Sequence, residues 1–355
     1  MSYYILPKNI NNINVNPHYS NESCAPYISH SLLSYYNELK CQIDEMFIND
    51  QDLSNNCIED VLKIINPYEF IFSKVPGSKF SVSKLRSKSN TFYDLLEIYS
   101  NLNLLDLFKE TLVLNTLHSS PNHEEAVECF EIFREYQSDI HIEANNIDMD
   151  NDLSNSKFDF IFYETNTVNY FISLIQSIII ILRNQKYNGI SIIKIDGIFH
   201  KLVVDILYFL SSLYDKVYII KPSTNNITSF ERYIVCKSFI HNEHATSYLK
   251  LNYLKLIIFI KRLENKYIYS ILDFEIPYYF KNKIDDFNII IGQQQLEALD
   301  QIITIYKNKN KDDRIESIKK NNIQKSVSWC EKYKIPCNKF TEKINIFLPI
   351  VNETS

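Results

Sequence analysis

Glycine is scarce in this chain. Only Gly77, Gly189, Gly197 and Gly292 occur in 355 residues, and they stand too far apart to build the glycine-rich turn that lets a backbone approach a bound ligand closely. Paired cysteine motifs are missing too. The seven cysteines, Cys24, Cys41, Cys57, Cys129, Cys236, Cys330 and Cys337, include no C-x-x-C, which disfavours zinc, and a scattered odd set predicts reduced thiols, packed as small hydrophobes, in a cytoplasmic setting. Basic excess is absent: a formal net charge of −6 and a pI near 5.8 argue against a protein that coats nucleic acid non-specifically. No basic, apolar-cored leader opens the sequence, and the longest apolar run, 171–182, is too short to span a bilayer. The expectation is therefore no membrane partner.

What is present is apolar and aromatic, 45% and 14% of the residues, enough for a sizeable core in one elaborated domain or one domain with appendages. The most informative stretch is 189–239. Residues 190–195 form the near-continuous β-branched run of a parallel strand buried on both faces, and Lys194 interrupts it near its end. Lysine is rarely buried without a partner, and ligands of open α/β sheets sit beyond the carboxyl ends of the strands. Leu202, Val203, Ile206, Leu207 and Leu210 then recur at helical spacing, and 217–220 reads as the next strand of a strand-helix-strand crossover. A polar loop after Lys221-Pro222-Ser223 leads to Glu231, which opens a further strand through Tyr233 and Val235. This alternation predicts an α/β fold. On the residues alone, Lys194 and Glu231 are either half of an active site or an ion pair that closes a sheet.

With its lysine at a strand end, the KVYIIKP piece at 216–222 and the ERYIVC piece at 231–236, the stretch resembles the FtsJ-like RNA 2′-O-methyltransferases, including the cap-modifying branch of eukaryotes and large DNA viruses. The resemblance implies a Rossmann-like methyltransferase sheet with helices on both faces. It also implies S-adenosylmethionine as cofactor, the cap or 5′ end of an RNA as substrate, and a Lys-Asp-Lys-Glu catalytic set. Lys194 matches the second lysine and Glu231 the glutamate. The aspartate position falls on Glu164, at the end of the apolar run 158–163. The first lysine falls on Asp94, within SNTFYDLLEI at 89–98. A ribose hydroxyl is a poor nucleophile, and a lysine helps remove its proton only if its pKa, about 10.4 in water, is lowered. A carboxylate at Asp94 raises it instead.

The cofactor turn of the family corresponds to HSSPNHEE at 118–125, so the resemblance places Ser120, Pro121, Asn122 and His123 at the cofactor. None is glycine. Asparagine adopts the left-handed conformation more readily than most residues, but His123, Glu124 and Glu125 add bulk and negative charge. The expectation is weakened or lost S-adenosylmethionine binding; an active protein would need that cofactor and an inactive one would need none.

The chain divides into an N-terminal extension, 1–65, with a helix at 31–47; a methyltransferase-like core, 66–240; and a helical C-terminal region, 241–355, with helices at 249–263, 291–307 and 313–333. Within that last region, 293–300 and 329–333 resemble tail segments of large-DNA-virus members of the family. One basic stretch, 74–88, has no acid and sets Lys84, Arg86 and Lys88, with Lys74 and Lys79, beside Phe72 and Phe80. It reads either as an RNA contact or as a solvated loop. Two functions compete. One is a divergent RNA 2′-O-methyltransferase in which Lys194 activates the hydroxyl while Glu164 and Glu231 orient it. The other is a pseudo-methyltransferase kept as a binding or structural subunit, with a protein partner, in a viral particle or an RNA-processing assembly. Asp94 and the glycine-free turn favour the second; the resemblance as a whole favours the first.

Overall fold

The computed structural model describes residues 1–49, 61–75, 78–135, 137–143, 156–242, 245–263, 266–308 and 312–338. In chain order the elements are β1 (Ser2–Ile5), β2 (His18–Ser20), α1 (His30–Asn49), α2 (Asn90–Leu102), β3 (Asn115–Ser119), α3 (His123–Phe133), β4 (Ile140–Glu143) and β5 (Phe158–Glu164). They continue with α4 (Tyr170–Asn184), β6 (Gln185–Asp196), α5 (Lys201–Leu213), β7 (Tyr214–Lys221), β8 (Glu231–Phe239), α6 (Thr246–Lys261), β9 (Tyr267–Ser270), α7 (Tyr278–Lys307) and α8 (Asp312–Lys332). Seven strands form one sheet in the order β1-β7-β8-β6-β5-β3-β4, and β2 pairs with β9 in a small second sheet. Strands β4, β3, β5 and β6 are parallel, whereas β8 runs antiparallel between β6 and β7. A reversed strand inserted next to the last parallel one is the arrangement of a Rossmann-like methyltransferase sheet. The expected crossover therefore joins β6 to β7 with β8 lying between them.

Alternation along the strands sorts side chains onto two cores. Ile161 and Tyr163 of β5, Ile193 and Ile195 of β6, and Ile234 and Cys236 of β8 face α4 and α5. Phe160 and Phe162, Ile190 and Ile192, and Tyr233 and Val235 face α2, α3 and Trp329 of α8. Glu164, Lys194 and Glu231 continue the second set, so strand period alone directs all three to the α2 side. The run 171–182 is the interior of α4, which is apolar nearly all round because it packs on the sheet beneath it and on α6 above. Cys129, Cys236 and Cys330 are buried, as small hydrophobes are. The segment 329–333 joins the core through Trp329, whose ring lies 6.1 Å from that of Tyr93.

Within the stretch read as an extension, β1 extends the sheet, pairing Ser2 with Lys221 and Ile5 with Tyr218. The helix α1 packs on α7 through Tyr36, Ile43, Leu299 and Ile302. Among the described residues no helix is long and apolar enough to cross a membrane.

Gly189 sits where β6 starts irregularly against β5, one residue after Asn188 at φ 59°. A Cβ on it would stand 2.8 Å from the Asp159 carbonyl oxygen and 2.9 Å from that of Lys186, closer than packed carbon tolerates. Gly189→Ala should lower stability by about 1–3 kcal/mol, read as a fall in the urea midpoint; an unchanged midpoint would mean the bulge relaxes freely.

Candidate functional site

The site is built on the carboxyl edge of the sheet, where three neighbouring strands deliver one side chain each. Parallel pairing sets Glu164 opposite Lys194, and antiparallel pairing sets Glu231 opposite Asp196, two residues along from Lys194. The Lys194 Nζ lies 2.8 Å from Glu164 Oε1 and 3.6 Å from Glu231 Oε1. Helix α2 supplies the roof. Asp94 is 1% exposed and Glu97, one turn on, is 1% exposed. The sequence-derived set of Lys194, Glu164, Glu231 and Asp94 is thus brought together on one face.

A short loop between β7 and β8 satisfies those carboxylates. Thr224 Oγ1 donates to Asp94 Oδ1 at 2.5 Å, Asn225 Nδ2 donates to Asp94 Oδ2 at 3.0 Å, and the Tyr233 hydroxyl donates to Asp94 Oδ2 at 3.0 Å. The same Asn225 amide reaches Glu231 Oε2 at 3.0 Å, while Ser223 donates its backbone N–H and hydroxyl to Glu97 at 2.8 and 2.9 Å. Lys221 holds the loop from inside. Its ammonium meets Asn225 Oδ1 at 2.5 Å, the carbonyls of Asn226, Ser229 and Glu231 at 2.8, 2.8 and 3.0 Å, and Ser229 Oγ at 3.1 Å. Sequence reasoning missed Lys221, Ser223, Thr224, Asn225, Tyr233 and Glu97. The available signal was two acids three residues apart in an apolar helix, which called for donors elsewhere.

Burial and charge fix the protonation states. Burial alone pulls the Lys194 pKa down, but Glu164, Glu231 and Asp94 together outweigh it and hold it above the ordinary lysine value. Burial pushes Asp94 up to about 6, against the downward pull of Thr224, Asn225, Lys194 and Tyr233. Burial, with Arg232 nearby, lowers Lys221 to about 7. The crevice therefore offers a fixed ammonium flanked by acceptors. It can position a hydroxyl or an anionic oxygen, yet Lys194 has no vacancy for a proton.

The turn read as the cofactor loop folds onto the site instead of cradling a ligand. Ser120 Oγ donates to Glu164 Oε2 at 2.5 Å and accepts the Asn122 N–H at 2.9 Å, while Asn122 Nδ2 lies 3.4 Å from Glu164 Oε2. Asn122 has φ −107°, so it does not take the left-handed conformation that would stand in for glycine. Pro121 carries no N–H. His123 Nε2 is tied to Glu143 Oε2 at 3.0 Å, and Glu124 and Glu125 fill the first turn of α3, where a carboxylate ligand would be drawn by the helix N-terminus. These residues do not fit S-adenosylmethionine. Among the described residues, no group of three or more His, Cys, Asp or Glu could hold a metal ion.

The basic residues stand on an extended segment leading into α2. Lys84, Arg86 and Lys88 are exposed and alternate with the inward Leu85, Ser87 and Ser89. The segment is anchored by the Lys84 N–H to the Pro336 carbonyl at 2.8 Å and by the Tyr93 hydroxyl to the Leu85 carbonyl at 2.8 Å. Lys88 pairs with Glu124 at 2.8 Å. Phe80 is half exposed, whereas Phe72 packs on Tyr93 with ring centroids 5.8 Å apart.

Asp94 yields a signed prediction. Its folded value of about 6 exceeds the unfolded value of about 3.9, so its contribution to stability is complete below the unfolded value and is lost as pH rises through the folded one. Denaturant titrations should show this group removing up to about 1.4 kcal/mol per pH unit inside that window. In Asp94→Asn that share of the slope should vanish. An unchanged slope would mean that Asp94 stays ionised.

No protein-family model and no curated protein matches the chain. Among solved structures it is similar to a Plasmodium falciparum protein described as a ribosomal RNA methyltransferase, at 14% identity and a TM-score of 0.34, over 44% of this chain and 100% of that one. It is also similar to an S-adenosylmethionine-dependent methyltransferase of Clostridium acetobutylicum, at 14% identity and a TM-score of 0.19, over 48% of this chain and 81% of that one. At such scores the likeness carries no argument, and the fold assignment rests on the strand order.

Proposed function

We propose that this chain is an RNA-binding protein on an RNA 2′-O-methyltransferase fold, holding the cap or 5′ end of an RNA without transferring a methyl group. One observation carries the reading: Lys194 is held between Glu164 and Glu231 with Asp94 behind it, and its pKa is raised. A lysine that keeps its proton cannot take one from a hydroxyl. As an ammonium it still donates to ribose or phosphate oxygens, and Glu164 and Glu231 accept from ribose hydroxyls. The misfit of the 118–125 turn to S-adenosylmethionine points the same way. The exposed row of Lys84, Arg86 and Lys88 supports RNA as ligand, with same-side residues of an extended segment about 7 Å apart. Such a protein would serve as a binding subunit of an RNA-processing or viral assembly in the cytoplasm.

The second reading, an active methyltransferase, is favoured by the placement of Glu164, Lys194 and Glu231 on three neighbouring strands, as the resemblance implies. Calorimetry separates the two. Titration with S-adenosylmethionine should stay silent at millimolar ligand; micromolar binding, with methyl transfer to capped RNA that Lys194→Ala abolishes, would establish the enzyme.

Each phosphate contact on a single strand contributes a slope of about 0.7 in log affinity against log salt. Replacing Lys84 and Arg86 by alanine should therefore flatten the salt dependence of RNA binding by about 1.4. Adding Lys88→Ala should change it little further, since Lys88 is already neutralised by Glu124. Equal affinity of wild type and double variant at low salt would remove this segment from the interface.

A further inference from the structure

The RNA reading uses the α2 side of the sheet and leaves the other side without a role. There α4 packs on the sheet, and α6 packs on α4 through Leu249, Leu256 and Phe259, so that α6 forms an outer layer. Helical periodicity then turns Leu251, Leu254 and Ile258 away from α4. They are 49%, 40% and 47% exposed, whereas Tyr253, Ile257 and Ile260 of the same helix pack against the core. Positions i, i+3 and i+7 share one helix face, so the three make a continuous apolar ridge about 10 Å long, which singly scattered surface hydrophobes do not.

Charge frames this ridge. No acid occurs within 246–263. With about 3.6 residues per turn, Lys250 and Lys261 fall on one flank of the ridge, and Lys255 and Arg262, the residue just past the helix, fall on the other. Lys255 donates to the Val15 carbonyl at 3.0 Å and keeps its charge at the flank.

We infer that the outer face of α6 is a docking surface for an anionic lipid bilayer. The ridge enters the boundary between headgroups and acyl chains, while the cations on its flanks meet lipid phosphates and carboxylates. Cations on both sides of the crest favour a bilayer over an acidic helix of a partner protein: a helix laid in the groove beside the ridge meets one flank, and a flat anionic surface meets both. The expectation of no membrane partner rested on the lack of a spanning run and of a leader, and contact with a bilayer surface needs neither. Glu164, Lys194 and Glu231 lie on the opposite side of the sheet, and Val82 and Leu85 root the basic segment in the core of that side. A bilayer under α6 therefore leaves the RNA face open, and the protein would present RNA at a lipid surface.

The inference goes beyond the RNA reading, and either can fail alone. The full chain is tested by flotation with vesicles of phosphatidylcholine alone and of phosphatidylcholine and phosphatidylserine in equal parts. Wild type should float with the phosphatidylserine vesicles, at least tenfold more tightly than with phosphatidylcholine alone, and should be released on going from about 0.1 M to about 1 M salt, where screening is nearly complete. Serine at Leu251, Leu254 and Ile258 together should weaken vesicle binding at least tenfold, and so should Lys250→Gln with Arg262→Gln, since each basic residue near such a surface contributes about fivefold. Both variants should bind RNA as wild type does.

Wild type that stays with neither vesicle overturns the inference, as does a triple serine variant, folded by circular dichroism, that floats like wild type. Loss of vesicle binding in the Lys84→Ala, Arg86→Ala double variant overturns it too, because the lipid would then be held by the basic segment on the other side. Should the triple variant fail to fold, Ile258→Asp alone carries the same expectation.

Discussion

A carboxylate removed from water must be given hydrogen-bond donors or surrender its charge, and at the carboxyl edge of this sheet that requirement organises everything nearby. Asp94 and Glu97 are buried on one helix, and Glu97 meets the Met1 amino group at 3.0 Å. Their other donors come from Ser223, Thr224, Asn225 and Tyr233. Ser223, Thr224 and Asn225 sit on a nine-residue stretch of loop, 222–230, that would have no reason to adopt one conformation, were Lys221 not buried inside it and bound to three of its residues and to Glu231. Remove the ammonium and the acceptors that converge on it lose their common partner.

The same requirement explains why the crevice reads as a holding device. Paired buried charges gain little net stability over well-packed apolar groups, but breaking one partner away is strongly unfavourable. A network in which one asparagine amide bridges two carboxylates while its carbonyl oxygen meets a lysine has little freedom to shift protons between its members. The loop is further braced from behind by the Tyr36 hydroxyl on the Thr228 carbonyl at 2.7 Å and by Gln295 Nε2 on the Ser229 carbonyl at 2.6 Å. On the opposite face of β8, Arg232 is fully buried against Phe287, 5.2 Å from its ring centroid, and donates to Asn288. Strand β8 is therefore gripped on both faces.

Periodic features were legible in the sequence. The β-branched run around Lys194, the apolar run ending in Glu164 and the strand opened by Glu231 predict three neighbouring strands, and the period of 2 then dictates that these side chains share a face. The helices near 31–47, 200–213 and 313–333 follow from spacing in the same way, whereas α7 begins well before the 291–307 stretch because its first turns bury Phe280, Ile284 and Phe287 against the sheet. The bonds that define the site were not legible. Thr224 and Asn225 meet Asp94 across more than a hundred residues, and a polar loop that reads KPSTNN gives no sign of which carboxylates it serves. The partner of His123 was hidden for a related reason: a histidine at a helix start looks merely bulky until β4 places a glutamate beside it.

Strand β1 adds a consequence in time. It closes the outer edge of the sheet by pairing with β7, Ser2 to Lys221 and Ile5 to Tyr218. On a ribosome adding about 5–20 residues per second, the first strand waits roughly ten to forty seconds for that partner to be made. Tyr3, Tyr4 and Ile5 spend the interval without a sheet, and β7 has no outer neighbour until they dock. Completion of the sheet is thus tied to translation of 214–221, and a product halted before that point carries a free apolar strand that quality-control chaperones can recognise.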